Sequence, residues 1–141
     1  MQEIDILKEI SKDAKMGMDS LTTVTDKVED EHFKKVLNHQ HDEYQNIFDR
    51  TQELLLQKDE NFEDVPTMQK VMSWTGIQMN TMMDKSNSKL SELLIQGNDM
   101  GVVKGTKLLN QYPFTTPEIK NLLSDFVRLQ EKNIDDLKNF L

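Results

Sequence analysis

The sequence predicts an all-α protein: an antiparallel bundle of four long helices, with a fifth helix between the second and the last two. Apolar residues recur at spacings of three and four along most of the chain, the pattern of packed helices. The 141 residues include three prolines and five glycines and are rich in Leu, Met, Lys, Glu and Gln, which favour helices. No repeat or composition shift divides the chain, so we expect one domain over residues 1–141.

The charge of the chain limits its partners. Asp and Glu number 25 against 17 Lys and Arg, a formal net charge of −8. This acidic balance disfavours nucleic acid and anionic membrane surfaces. No apolar run could span a bilayer and the first residues lack a signal core, so we expect no membrane insertion. The absence of cysteine excludes disulfides and thiolate sites and fits a cytoplasmic location.

The first two predicted helices, over about residues 3–27 and 31–58, should form a hairpin. Their connection near Glu29–Asp30 is short, so we expect antiparallel neighbours. Gly17 lies on the stripe of the first helix, where a glycine costs about 1 kcal/mol relative to alanine and permits close packing. The stripes comprise Leu7, Ile10, Ala14, Gly17, Leu21, Val24 and Val28 in the first helix, and Phe33, Leu37, Gln40, Tyr44, Ile47, Thr51 and Leu54 in the second.

The third and fourth predicted helices cover about residues 66–84 and 89–111. Pro66 suits a first helical turn, where its missing N–H costs nothing. A continuous helix through both would be too long for one compact domain, so we predict a break between Asp84 and Ser88. Either Ser86 or Ser88 could cap the helix that follows.

Three glycines in the fourth predicted helix repeat at intervals of four residues. They are Gly97, Gly101 and Gly105. Such a stripe lets another helix approach closely. We interpret it as intramolecular packing, with a subunit interface or a ligand slot as the alternatives.

The last predicted helix covers about residues 117–140. Thr116 is expected to cap it, Pro117 to take the first helical position, and Glu118 to favour the first turn. Its inward residues are predicted to be Ile119, Leu122, Leu123, Phe126, Gln130, Asn133, Leu137 and Phe140 or Leu141.

Polar residues interrupt the apolar stripes of the second and last helices at similar heights. Buried amides without partners cost about 1–3 kcal/mol each, so these should bond one another, a backbone group or water. One interpretation is a polar layer that fixes helix register, filled by Tyr44; the other is a small polar-ligand site. The candidate ligand-binding residues are Gln40, Glu43, Tyr44, Gln130 and Asn133.

Residues 37–44 (LNHQHDEY) and 130–134 (QEKNI) resemble the second and last core helices of the ferritin-like superfamily. The resemblance implies a ferritin-like bundle in which the helix at 66–84 is the crossover between two hairpins. It extends to small uncharacterised bacterial members of the superfamily that are related to spore-coat proteins. Members that bind two irons need a Glu on each of two helices and a Glu-x-x-His on each of the others.

The di-iron ligand pattern is not present at the matching positions. Gln40-x-x-Glu43 and Gln130-x-x-Asn133 stand in the inward register, and neutral amides are weak metal ligands. His39 and Glu43 could share a face, but that face flanks the stripe, so we interpret them as a solvated pair. We therefore expect no metal and no cofactor.

A methionine-rich stretch offers a candidate interface. Five of the nine methionines fall between Met68 and Met83, and methionine serves both as a core gap-filler and on adaptable binding surfaces. A homodimer contact is one hypothesis for this stretch, with Met72, Trp74, Met79 and Met83 as its candidate residues.

The sequence gives no catalytic residues, so its function remains a hypothesis. The leading expectation is a non-catalytic structural or binding protein of ferritin-like fold without a working di-metal site. The alternative is a metal-dependent oxidase or iron-handling protein, and a second alternative is a carrier of a small polar ligand.

Overall fold

The computed structural model describes residues 2–58 and 82–141 of the chain. These residues form only helices, connections and a final turn, so the all-helical prediction is confirmed for them. None of these helices combines the length and the apolar character that a membrane crossing needs. The helices are α1 (Gln2–Thr25), α2 (Glu31–Gln57), α3 (Asn87–Gln111) and α4 (Pro117–Leu137), followed by a 3₁₀ turn at Lys138–Phe140.

The helices pair as two hairpins. Helix α1 packs along α2 and α3 along α4, while narrower seams join α2 to α4 and α1 to α3. Lys58 Nζ lies 2.7 Å from Glu3 Oε2, so α2 ends beside the start of α1. Asn87 Nδ2 donates to Asp30 Oδ2 at 3.4 Å, so α3 starts beside the start of α2. Helices α2 and α3 therefore run in the same direction, opposite to α1 and α4.

Side chains cap the starts of two helices. Asp30 Oδ1 accepts from Phe33 N at 3.0 Å at the start of α2. Ser86 Oγ accepts from Lys89 N at 3.2 Å, which identifies Ser86 as the cap of α3. Thr116 occupies the cap position of α4, but its side chain makes no capping hydrogen bond, so that detail of the prediction is wrong. Pro117 at the first position, with its fixed φ, starts this helix instead.

Two predicted boundaries need correction. Residues 59–81 lie outside the described part of the chain, and residues 82–84 are not helical, so the predicted end at 84 is wrong. Asp84 Oδ1 accepts from Ser86 N at 2.9 Å, a local turn that competes with helix. Helix α4 ends at Leu137 instead of residue 140, because the last turn tightens as Phe140 stacks on Phe33 with ring centroids 4.4 Å apart.

Two glycines allow close packing inside the bundle. A Cβ built on Gly105 of α3 would lie 2.6 Å from Val127 Cγ2 of α4. A Cβ built on Gly17 of α1 would lie 2.7 Å from the Tyr44 ring of α2. Both distances are too short for a real Cβ contact, so these positions serve packing within the chain, as predicted.

Candidate functional site

A hydrogen-bonded polar layer crosses the middle of the bundle, centred on Asn98 of α3. The Tyr44 hydroxyl donates to Asn98 Oδ1 at 2.6 Å. Asn133 Nδ2 of α4 approaches the same oxygen at 3.4 Å, and Asn98 Nδ2 donates to the Leu94 carbonyl at 2.8 Å. Burial raises the pKa of the Tyr44 hydroxyl well above its ordinary value, so it stays protonated and donates at neutral pH. Asn98 thus ties three helices together.

Gln130 lies beside this layer and is also buried. Its Nε2 donates to the Phe126 carbonyl at 3.2 Å. Its carbonyl end rests directly over Gly101, so that a Cβ added there would overlap the amide. Gly101 therefore makes room for the Gln130 amide, which is a packing role that adjoins the candidate site.

Neither Gln40 nor Glu43 makes a hydrogen bond to the layer. Gln40 is 1 % exposed, and neither amide atom has a hydrogen-bond partner among the described residues. The expected bonding of the buried amides thus holds for Gln130 and Asn133 but is not met for Gln40. Glu43 is half-buried at the seam of α2 and α4, where its Oε1 lies 2.7 Å from His39 Nε2 and 3.5 Å from Lys132 Nζ.

A pocket of about 640 Å³ opens between α1 and α3, and we call it the α1/α3 pocket. Its size lies in the range of small-molecule sites, roughly 300–1,000 Å³. Tyr44, Asn98 and Gln130 line it together with Gly17, Gly97 and Gly101. The Tyr44 ring fills the space beside Gly17, as predicted, but it does not close the pocket. Its hydroxyl is held by Asn98, so the ring covers Gly17 as one wall and leaves the pocket open.

Lys104 ties α3 to α1 at the edge of this pocket. Its ammonium bonds Glu9, and it lies 3.1 Å from Asp13 Oδ1. Burial raises the pKa of the Asp13 carboxyl, and the neighbouring Lys104 only partly offsets it. Burial lowers the pKa of Lys104, but its two acidic partners outweigh this and raise it overall. Lys104 is therefore the cation that offsets the charges of the Glu9 and Asp13 carboxylates.

Replacing Lys104 with methionine should destabilise the fold in a pH-dependent way. At about pH 7 the loss should be about 1 kcal/mol, because Glu9 and Asp13 lose the cation that both of them contact. Without Lys104 the folded state takes up a proton at Asp13 more readily, so the loss shrinks as the pH falls towards about 4. Urea unfolding of both proteins at the two pH values measures the difference.

Lys107→Met is the matched control for this prediction. Lys107 lies on the same helix, is exposed, and has no ion pair among the described residues, so its loss should change stability by less than about 0.5 kcal/mol. An equal loss at both pH values for Lys104→Met would show that only the packing of its stem matters.

In the described part of the chain, no three His, Asp or Glu side chains form a group that could hold a metal ion. The candidate Glu43 illustrates this, because its neighbours are one exposed histidine and one lysine. The layer of Tyr44, Asn98 and Asn133 offers neutral groups, which bring no charge to balance a cation.

The sequence interpretation missed the central residue of the layer and the charged edge of the pocket. Asn98 follows Leu90 and Leu94 at intervals of four, so its place on the buried stripe of α3 could have been identified. The sequence pattern did not identify Asp13 and Lys104, because each is a charged residue at the flank of its helix.

Most of the candidate interface lies outside the described residues. Met72, Trp74 and Met79 fall within residues 59–81, whereas Met83 is described and is 99 % exposed. One exposed methionine does not test a dimer, so the homodimer stays a prediction.

In comparisons with known proteins, the chain matches no family model, no curated protein and no solved structure.

Proposed function

We propose that the chain is a non-catalytic binding protein that holds a small molecule in the α1/α3 pocket. The observation that carries this proposal is the position of the pocket, which reaches from the surface to Tyr44 and Asn98 of the buried layer and to Gln130 beside it. Ligand sites commonly combine apolar walls with a few fixed polar groups. Here the polar groups are held by hydrogen bonds within the bundle, so little ordering is needed on binding.

The chemistry of the pocket favours binding over catalysis. Its innermost polar groups are two amides and a phenol whose pKa is raised, so none of them acts as a base at neutral pH. The nearest carboxylate, Asp13, already bonds Lys104. Against the iron-handling alternative, the described residues offer no cluster of metal ligands. The pocket supports the small-ligand carrier instead. Tyr44 and Gln130 of the predicted residues line it together with Asn98, whereas Gln40, Glu43 and Asn133 do not.

We also propose that the bundle has ferritin-like topology. The chain leaves α2 beside Glu3 and enters α3 beside Asp30, at opposite ends of the bundle. A connection of that kind between two antiparallel hairpins is what the ferritin-like topology requires. The layer of neutral polar residues then stands where the superfamily's di-metal members carry ligands. The cytoplasmic location and the lack of a nucleic-acid partner stay predictions from composition.

Filling the pocket should abolish ligand binding. Gly101→Leu places a side chain on the pocket wall and displaces the amide end of Gln130, which a Cβ at this position would overlap. In a thermal-shift screen of small molecules, compounds that raise the melting temperature of the natural chain should not raise that of the variant. A saturating ligand at 100 times its Kd stabilises by about 2.7 kcal/mol, so the shift is measurable.

Two further variants make this test specific. Thr106→Leu adds the same side chain to the exposed surface of α3 outside the pocket and should leave binding unchanged. Ser20→Phe fills the pocket from α1 and should act like Gly101→Leu. Compounds that stabilise all four proteins equally would bind elsewhere and would contradict the proposed function.

A further inference from the structure

The α1/α3 pocket has an apolar end and a cationic end. Because α1 and α3 are antiparallel, Leu21 and Leu94 lie towards one end, and Lys12 and Lys107 towards the other. Lys12 and Leu21 are nine residues apart on α1, which is roughly 14 Å along a helix. A ligand of that length would meet both ends at once.

The pocket wall towards Leu21 and Leu94 is mostly apolar, and its buried polar side chains Tyr44 and Asn98 already bond each other. The Tyr44 ring lies over Gly17 and the Gln130 amide lies over Gly101, whereas Gly97 adds no side chain to the pocket wall. Met16, Met100 and Val103 extend the apolar surface, and Met100 and Val103 are largely exposed. Exposed apolar side chains around a pocket favour a ligand with an apolar body.

The cationic end carries more positive charge than its ion pairs use. Three lysines and two aspartates line the pocket in a chain of net charge −8. Lys104 is engaged by Glu9 and Asp13. Lys12 and Lys107 are exposed and have no ion pair within residues 2–58 and 82–141. The remaining acid of the lining, Asp99, lies two turns of α3 from Lys107.

These charges discriminate between kinds of ligand. An ammonium group placed between Lys12 and Lys107 would be repelled by both lysines, and the nearby Asp13 already pairs with Lys104. A carboxylate placed between Lys12 and Lys107 would gain two favourable charge interactions, partly offset by repulsion from Asp13, and would leave the Lys104 ion pairs intact. Charged hydrogen bonds of this kind are stronger than neutral ones, and a partly enclosed site is screened less than open surface.

We infer that the ligand of the α1/α3 pocket is an organic acid with an apolar chain or ring, whose carboxylate lies between Lys12 and Lys107. The inference rests on the proposed function, since it assigns a chemical class to the ligand of the same pocket. The apolar body lies along the Tyr44 ring and Gly97, towards Leu21 and Leu94.

Three probes with the same chain and different headgroups test the inference on the full-length protein. Decanoate, decanol and decylammonium are titrated by calorimetry at about pH 7, where the carboxylate is charged. Decanoate should bind saturably, with a Kd about tenfold or more below those of the other two. Amide resonances of Gly97 and Gly101 should shift with decanoate in an NMR titration, which places it in the pocket.

Paired variants report on the two lysines. Lys12→Gln/Lys107→Gln should raise the Kd for decanoate about tenfold or more and leave that for decanol unchanged. Lys8→Gln, an exposed lysine of α1 outside the pocket, is the control and should change neither. Thermal unfolding confirms that the variants fold, as expected for exposed residues without ion pairs.

The outcomes separate the two proposals. If no probe binds in the pocket, the assignment of an acid with an apolar chain fails, whereas the proposed function fails only if the thermal-shift screen also finds no compound that depends on the pocket. If decanol or decylammonium binds there as tightly as decanoate, the pocket is a binding site and the assignment of an acid is overturned. An unchanged decanoate Kd in the double lysine variant overturns the assignment in the same way.

Discussion

Asn98→Leu should destabilise the protein by about 2–5 kcal/mol, because it leaves buried polar groups of two other helices without their partner. Leucine is close to asparagine in size and favours helix, so neither a cavity nor helix propensity explains such a loss. The Tyr44 hydroxyl and the Asn133 amide would stay in the core without their acceptor. Urea unfolding followed by far-UV circular dichroism measures the change.

A double-variant cycle identifies the cause of that loss. Tyr44→Phe removes the hydroxyl that donates to Asn98. The loss of unfolding free energy in the double variant Asn98→Leu/Tyr44→Phe should therefore be smaller than the summed losses of the two single variants, by about 1 kcal/mol or more. Asn110→Leu makes the same change at an exposed site of α3 and should stay within about 0.5 kcal/mol of the natural chain. Additive losses in the cycle would mean that the Tyr44–Asn98 bond does not stabilise the core.

The periodic stripes of the sequence predicted most of the fold. A residue such as Leu37 or Leu122 is buried at a position that helical spacing alone identifies. Helix ends were less accurate, because contacts between distant residues decide them. The 3₁₀ turn at Lys138–Phe140 depends on Phe140 meeting Phe33, which no local pattern in α4 contains.

The sequence identified only those residues of the candidate site that lie on the inward-facing stripe of a helix. Tyr44, Gln130 and Asn133 occupy inward positions, and all three are buried. The charged end of the pocket could not be predicted in this way. Lys12 and Lys107 are ordinary solvated residues on their own helices, and they acquire a joint role only because α1 packs antiparallel to α3.

Phe33→Ala should destabilise the protein by about 3–5 kcal/mol, since it deletes a large side chain from a fully buried position. Phe33 begins the apolar stripe of α2 and stacks on Phe140 at an interplanar angle of 22°. Its loss would leave a cavity at this end of the bundle and remove the surface on which the 3₁₀ turn rests. Urea unfolding gives the magnitude, and hydrogen exchange at residues 138–141 reports whether the turn loosens.

Phe114→Ala provides the matched control for this deletion. Phe114 lies in the turn between α3 and α4 and is 98 % exposed, so the same change there should alter stability by less than about 0.5 kcal/mol. Phe140→Ala should fall between the two, because Phe140 is only partly buried against the core. If Phe33→Ala and Phe114→Ala were equally mild, the start of α2 would not belong to the core, and the stacking of Phe140 on Phe33 could not be what ends α4.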